Sequence, residues 1–177
     1  MATASRLPYN IPVMSQVRGF TLIELVIVLA ILGAVMFLSF PSFSNSMEVR
    51  ALDNTASEIL MAMETAKWQA AATALDHRLR FALEGGAWTF RLERETSPGT
   101  WVVIAGGGPK RVATKFVFTA NLPAGLAVVF QATGFVSGYD STKNSVTVES
   151  PKLQRLGELY RRTVLFYAGG SIRYVKS

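Results

Sequence analysis

Residues 18–40 read RGFTLIELVIVLAILGAVMFLSF, in which a basic residue and a glycine precede a run with one charge, that of Glu24. As a helix, the run from Phe20 to Phe40 is ~31 Å long, close to the thickness of the hydrocarbon core of a bilayer. A carboxylate in such a segment costs roughly 2.5 to 3.5 kcal/mol near its centre and somewhat less near its edge. The stretch therefore predicts a membrane-spanning helix in which Glu24 has a partner or a function.

The basic residues before the apolar run predict its orientation. Arg6 and Arg18 have no acidic counterpart on that side, so the amino end should stay in the cytoplasm and everything after Pro41 should be exported. A cleavable secretory signal is the alternative, but its apolar core has only ~7 to 15 residues and ends in a small-x-small site. Residues 39–43, SFPSF, contain no such site. We therefore expect a single-pass protein with an exported C-terminal part.

The segment from Gly19 to Leu25, GFTLIEL, resembles the processing motif of type IV prepilins and type II secretion pseudopilins. The resemblance implies that a prepilin peptidase cleaves after Gly19, that the new amino terminus at Phe20 is N-methylated, and that Glu24 guides assembly. It also implies a bacterial inner-membrane protein that contacts lipid first and then enters a pilus or pseudopilus. Its expected partners are the peptidase and other pilins or pseudopilins, which it meets through helix packing.

The expected leader, residues 1–19, is longer than the short type of this family. Initiation at Met14 instead of Met1 would leave a six-residue basic leader of the common size. Both starts stay open, and sequencing the amino terminus of the uncleaved precursor distinguishes them.

Elementary electrostatics gives Glu24 a rationale as the assembly residue. Cleavage before Phe20 would create a cationic amine at a helix terminus that already carries the positive end of the dipole, and a carboxylate one turn later is favourably placed. Between packed subunits, the acid of one helix could pair with the amine of its neighbour and neutralise both charges in lipid. A misregistered subunit would leave both unpaired. Glu24 would then set the axial register.

Beyond Pro41 the sequence predicts an amphipathic continuation of the helix. Apolar residues recur at alternate spacings of three and four, and polar residues occupy the other faces. Pro41 should kink this helix or open one of its turns, and Gly33 is a second soft point. The stripe consists of Val49, Leu52, Ala56, Ile59, Met63, Ala66 and Ala70.

After Ala74 the pattern changes to alternating and β-branched runs punctuated by glycine, which is typical of an antiparallel sheet. Hairpins are expected around Gly85-Gly86 and Gly169-Gly170. The predicted strands are 79–83, 87–92, 101–104, 112–119, 126–131, 145–149, 164–167 and 172–175.

The expected fold class is α+β, with a long N-terminal helix packed on a C-terminal antiparallel β-sheet domain. The helix is transmembrane in its first half and amphipathic in its second. The expected segments are a removed leader (1–19), a transmembrane and assembly helix (20–40), its amphipathic continuation (41–74) and a periplasmic β-rich domain (75–177).

This order of a long helix and an all-strand domain is similar to the GspH/FimT family of minor pseudopilins and minor pilins. Residues 66–70 lie where the helix runs towards the first strand, Phe130–Gly134 resembles the family's Phe-x-x-x-Gly strand-turn, and Gly170–Arg173 fits its ending. The resemblance implies a minor structural subunit. The chain has no cysteine, so it cannot close a carboxy-terminal loop with a disulfide as many major pilins do. Type II secretion and type IV pili share the motif, so the choice of machine stays open.

The basic residues are concentrated near the carboxyl end. The net charge of +6 falls to +4 without Arg6 and Arg18, and from residue 143 onward seven basic residues stand against two acidic ones. Such a region can attract DNA phosphates through counterion release. The candidate DNA contacts are Arg161, Arg162, Arg173 and Lys176.

A simpler interpretation of these basic residues is that they form a solvated face without a ligand. Some minor pilins of the family act in DNA uptake through a carboxy-terminal Gly-Arg-x-Arg element. Residues 170–173 read GSIR, so the first arginine of that element is missing.

The chemistry-bearing residues argue against an enzyme. His77 is the single histidine, the chain has no cysteine and its carboxylates are not clustered, so we expect no catalytic site, metal, cofactor or small-molecule substrate. His77, near the helix end, is expected to be a cap or surface residue. The glycine-rich residues 106–110 lack the Ser/Thr of a phosphate loop and are expected to form a turn. Residues 138–144 have too few oxygen ligands for calcium and are expected to form a loop.

Overall fold

The computed structural model describes residues 19–123 and 125–177, and for residues 38–41 it describes the backbone only. The expectations for the leader before Gly19, including a start at Met14, lie outside the described residues. The chain divides into two compact units, Met1–Pro41 and Ser42–Ser177. Helix α1, Leu22–Thr73, contributes to both.

In the first unit, the large apolar side chains of α1 are exposed. Their exposed fractions run from 46% for Val28 to 81% for Phe37. Among the described residues, α1 is the one helix long and apolar enough to cross a membrane, by length and composition alone. Apolar surface of this extent is unfavourable in water and requires contact with lipid or protein.

The helical assignment of α1 continues through Gly33 and Pro41. An opened turn at Pro41, which was one of the two expected effects of this proline, is therefore absent.

The apolar stripe in the second half of α1 forms the centre of the core of the second unit. Val49 is partly buried at one end of the stripe and packs against the core cluster. The predicted helix face is confirmed. The fully buried members are Leu52, Ile59, Met63 and the three alanines Ala56, Ala66 and Ala70.

After α1, the described residues contain nine strands and one short helix. In chain order they are β1 (His77–Glu84), β2 (Ala87–Ser97), β3 (Thr100–Val103), β4 (Lys110–Arg111), β5 (Val117–Asn121), β6 (Ala127–Phe130), β7 (Ser145–Glu149), α2 (Pro151–Arg155), β8 (Arg161–Phe166) and β9 (Ile172–Lys176).

The strands form two sheets, and every strand pairing is antiparallel. The first sheet has the order β3-β2-β1-β6, with β4 also paired to β2, and the second has the order β5-β7-β8-β9. Buried residues of both sheets join the stripe of α1 in one core. The predicted α+β class is confirmed, although the strands form two sheets.

Both predicted hairpins are present. Gly85 and Gly86 join β1 to β2 with positive φ angles of 57° and 75°, and residues 167–171 join β8 to β9. Glycine adopts such angles without the clash that a Cβ introduces.

The predicted strand 112–119 is correct only from Val117 onward. β4 ends at Arg111 and β5 begins at Val117, and the Phe116 amide donates to the Ala113 carbonyl in a turn between them. Val112 and Phe116 are both buried. Their spacing of four residues suits a turn that folds both side chains inward. An alternating strand would also bury Thr114, which is exposed.

Helix α2 was not predicted, although the sequence contains its start signal. Ser150 is the N-cap, Pro151 occupies the first turn, and the Leu153 amide donates to the Ser150 hydroxyl at 3.4 Å. Proline is well tolerated at this position because the first amides of a helix have no helical acceptor.

The expectation that His77 is a cap or surface residue is wrong. α1 ends at Thr73, and Ala74 has a φ of 54°, a left-handed conformation that terminates helices. His77 is consequently the first residue of β1 and is 1% exposed. Its Nδ1 lies 2.9 Å from the Leu75 carbonyl oxygen, so the buried ring has a polar partner.

The turn after β6 meets the β8–β9 hairpin at Gly170. The Val136 amide donates to the Ala168 carbonyl at 3.0 Å. Gly170 has a φ of 73°, and a Cβ there would overlap the Gly134 carbonyl oxygen and lie 3.4 Å from Lys67 Cε. Three segments that are distant in sequence therefore meet where only glycine fits.

Replacing Gly170 with alanine is expected to destabilise the second unit by roughly 3 kcal/mol, because backbone strain and overpacking act together. Gly99→Ala is the matched control. Gly99 has a similar φ of 79°, but a Cβ there meets nothing within 4 Å, so only strain of about 1 kcal/mol is expected. Denaturant unfolding of the detergent-solubilised chain measures both values. Equal losses for the two variants would contradict the steric explanation.

Candidate functional site

The amino end of α1 is closed by a capping box between Thr21 and Glu24. The Glu24 amide donates to the Thr21 hydroxyl at 3.3 Å, and the Thr21 amide donates to Glu24 Oε2 at 3.3 Å. The Thr21 hydroxyl also lies 3.4 Å from Oε2, and the first helical hydrogen bond runs from the Leu25 amide to the Thr21 carbonyl. This reciprocal arrangement satisfies two amides that a helix start otherwise leaves without acceptors.

The Thr-x-x-Glu spacing is a sequence signal for a helix start, so this cap was predictable from the sequence. Glu24 therefore has a local role besides the assembly role expected for it. The carboxylate also lies in the first turn of α1, where the helix dipole favours a negative charge.

The predicted cleavage junction lies just before this cap. Gly19 and Phe20 are outside the helix, and Phe20 is 85% exposed. A Cβ at Gly19 would meet no atom within 4 Å. The peptide bond between them is thus in non-helical, accessible backbone, as a protease requires of its substrate.

Glu24 forms no ion pair with any residue that the structure describes. Both contacts with Thr21 use Oε2, so Oε1 accepts no hydrogen bond within the described part of the chain. An unpaired carboxylate at the start of an exposed apolar helix is costly in lipid. Capping alone leaves its charge uncompensated.

Comparison with known proteins accords with this geometry. Residues 14–40 match the family described as the prokaryotic N-terminal methylation motif. The fold is similar to that of the minor pseudopilin EpsH from the type 2 secretion system of Vibrio cholerae, with a TM-score of 0.52 and 12% identity over 71% of this chain and 96% of that one. The chain is a pilin- or pseudopilin-like protein. No sequence among the curated proteins matches it.

Pilins and pseudopilins are structural, non-enzymatic subunits, in agreement with the expectation from the sequence. The prepilin-type motif implies processing by a peptidase and assembly with other pilins or pseudopilins. The apolar helix suggests membrane anchoring in a pilus or pseudopilus context.

In this pilin-like protein, two of the four candidate DNA contacts bind Asp53 of α1. Arg162 Nε donates to Asp53 Oδ1 at 2.6 Å, and Lys176 Nζ donates to Oδ2 at 3.0 Å. The Tyr174 hydroxyl donates to Oδ1 at 2.8 Å. Arg162 is only 2% exposed, and its guanidinium also donates to the Leu159 carbonyl. In this arrangement, Arg162 cannot reach a phosphate.

The other two candidates differ from each other. Arg161 forms an exposed ion pair with Glu149. Arg173 is exposed, and its side chain has no hydrogen bond or ion pair within the described residues. Three of the four candidate DNA contacts therefore pair with a carboxylate, and the carboxylate that binds Arg162 lies 109 residues earlier in the chain.

Asp53, Arg162, Tyr174 and Lys176 form the Asp53 cluster. Burial and hydrogen bonds within it shift two pKa values. Partial burial raises the pKa of Asp53, but hydrogen bonds from Arg162, Lys176 and Tyr174 and the charge of Arg162 outweigh it and lower this pKa to about 2. Burial and then the hydrogen bond to Asp53 raise the pKa of Tyr174 to about 12. Both groups hold their ordinary charge states at neutral pH, so the cluster acts as a fixed tie between α1 and the second sheet.

Two further sets of hydrogen bonds join α1 to residues that lie next to the second sheet or in α2. Glu48 accepts from Lys115 Nζ at 2.8 Å and from the Ser150 hydroxyl at 3.0 Å. Lys152 Nζ donates to the Ser44 hydroxyl at 2.8 Å. Burial raises the pKa of Glu48, but the hydrogen bonds from Lys115 and Ser150 and the charge of Lys115 bring this pKa below its ordinary value.

The remaining motifs have structural explanations. Asp140 accepts from the amide and hydroxyl of Thr142 at 2.8 and 2.7 Å, which forms a local turn. In the glycine-rich segment, the Gly107 carbonyl accepts from the Leu92 amide at 2.9 Å. Within the described residues, no group of three or more His, Cys, Asp or Glu could hold a metal ion.

Because Asp53 has a folded-state pKa of about 2 against an ordinary 3.8, its contribution to stability is fully present above the ordinary value and is lost as the pH falls through 2. We expect about 1 to 2 kcal/mol, allowing for partial exposure of the carboxylate. Asp53→Asn should therefore flatten the dependence of the unfolding free energy on pH in this acid range. Glu158→Gln, which removes an exposed carboxylate without a hydrogen bond among the described residues, should leave the slope unchanged. A wild-type slope in Asp53→Asn would refute the assignment.

Proposed function

We propose that this protein is a minor pseudopilin, a structural subunit of the type II secretion pseudopilus that prepilin peptidase processes and that assembles through its N-terminal helix. The observation that carries the proposal is the Gly19-Phe20 junction, immediately followed by an exposed apolar helix whose first turn contains the unpaired carboxylate of Glu24. The likeness to the fold of a minor pseudopilin supports the choice of subunit class.

In this proposal, the chain is first a single-pass protein of the bacterial inner membrane. The leader (1–19) lies in the cytoplasm and is removed, the apolar helix (20–40) spans the bilayer, and the amphipathic helix (41–74) and β-rich domain (75–177) are periplasmic. Cleavage after Gly19 releases an amine at Phe20, which is then N-methylated. Burial of the same apolar surface against neighbouring helices must offset extraction from lipid during assembly.

Glu24 can cap its own helix and pair with a neighbouring subunit at the same time. Thr21 engages Oε2, so Oε1 is available to the amine of a neighbouring subunit. The two charges neutralise each other in an apolar surrounding, where either one alone is costly. The capping box holds the carboxylate in the first turn and thereby presents it to that amine.

Two substitutions at Glu24 separate the charge from the cap. Glutamine can replace glutamate in a capping box, so Glu24→Gln keeps the cap and removes the charge, whereas Glu24→Ala removes both. If charge pairing sets the register, both variants should lose at least 90% of the incorporation into filaments, measured by cross-linking in cells, while membrane insertion persists. Wild-type incorporation of Glu24→Gln would overturn the pairing mechanism and leave capping as the role of this residue.

A minor pilin of a type IV pilus, acting in pilus priming or DNA uptake, is the alternative function. Exposed Arg173, which has no partner within the described residues, is the observation that favours a DNA contact. A non-assembled single-span membrane protein is the remaining alternative.

Deletion of the gene in its host separates the two machines. The proposal predicts reduced release of type II substrates into the medium, with pilus-dependent motility and transformation retained and secretion restored by the wild-type chain. Loss of motility or transformation with normal secretion would favour the pilus alternative.

A further inference from the structure

The outer face of the first sheet carries four arginines. The register places Arg78 opposite Glu93, Arg80 opposite Arg91, and Thr89 opposite Arg111. Directly opposed residues of an antiparallel pair project to the same face. The four arginines thus share the face opposite the core residues of β1 and β2.

One carboxylate is already bound on this face. Glu93 is 4% exposed, and its Oε2 accepts from Arg78 Nε at 2.6 Å, while Arg91 Nε lies 2.8 Å from its Oε1. Arg78 also lies 4.2 Å above the ring of Trp101. The carboxylate of Glu93 is therefore held between the guanidinium groups of Arg78 in β1 and Arg91 in β2.

At the next position along the two strands, Arg80 has no such carboxylate, whereas Arg91 already contacts Glu93. Arg80 and Arg91 face each other directly, and like charges in this relation are destabilising. Glu84 approaches Arg91 only to 3.7 Å and is about half exposed. Within the residues that the structure describes, the side chains of Arg80 and Arg111 have neither a hydrogen bond nor an ion pair.

The residues between these arginines are small. Ala82 and Ala127 neighbour Arg80 on this face, and Thr89 lies beside Arg111. Ala127 and Thr89 are buried, so a bound group would contact the arginine side chains and not the sheet beneath them. The side chains on one face of an extended peptide repeat every ~7 Å, the same spacing as Arg78 and Arg80 along β1.

We infer that this face, defined by Arg80, Arg91 and Arg111, binds an acidic, extended segment of another polypeptide through its carboxylates. The Glu93 arrangement favours carboxylates over phosphates as the ligand, because this sheet already holds one in the required geometry. The binding face is separate from the helix that assembles, so this inference does not depend on the choice of secretion or pilus machine.

The test uses the full chain in detergent and a fluorescent peptide of alternating glutamate and threonine, with binding followed by anisotropy. The wild type should bind it, and should bind it more weakly as salt rises from roughly 50 to 200 mM. Arg80→Gln with Arg111→Gln should weaken binding at least threefold. The control is Arg50→Gln with Arg155→Gln, which removes two exposed arginines that lie in helices and not in the first sheet, and it should leave binding unchanged.

Two further arms make the outcome decisive. Arg80→Glu with Arg111→Glu should lose the acidic peptide and gain an alternating lysine and threonine peptide, a gain that a misfolded chain would not show. Oligothymidylate should bind more weakly than the acidic peptide. Absence of wild-type binding, equal weakening in the control, or tighter binding of oligothymidylate that the same pair of substitutions abolishes would overturn the inference. Peptidase processing at Gly19 is measured separately, so failure here leaves the proposed function intact.

Discussion

The globular unit depends on the burial of one apolar stripe of α1. Each of Leu52, Ile59 and Met63 is fully buried, and such burial stabilises a protein by roughly 1.5 to 3 kcal/mol per side chain. Ala56, Ala66 and Ala70 of the same stripe are also fully buried, and buried residues of both sheets join this helix face in one core. Without this helix face, the inner sides of both sheets would lose the helix that covers them. Direct contacts between the sheets, such as that of Phe81 with Phe118, would remain.

The first half of α1 has the opposite character, because its apolar residues are not confined to one stripe and are exposed on all sides. A helix of this kind requires an apolar surrounding on every face. Lipid before assembly and other helices afterwards would both provide one, and the carboxylate of Glu24 is the feature that distinguishes these surroundings. The carboxylate of Glu24 has no cationic partner among the described residues, so its charge would stay unpaired in lipid. The amine of a neighbouring subunit would neutralise it.

Much of the fold was predictable from local patterns. The stripe of α1 and both glycine hairpins follow from periodicity and turn residues, and the candidate site around Gly19 and Glu24 follows from a contiguous motif. Contacts between distant residues were not predictable in the same way. Asp53 and Arg162 are 109 residues apart, so a local charge balance counted Arg162 as free. His77 was misjudged because the exact end of α1 depends on the left-handed conformation of Ala74, and residues 112–119 because buried residues four apart suit a turn as well as a strand.

Processing as a prepilin at the Gly19-Phe20 junction is the step on which the proposed function depends. It can be measured by mass spectrometry of the amino-terminal peptide from cells with and without prepilin peptidase. We expect a chain that begins at N-methylated Phe20 when the peptidase is present and an uncut chain when it is absent. An uncut chain in both strains would rule out prepilin processing and leave an ordinary single-span membrane protein with a β-rich exported domain.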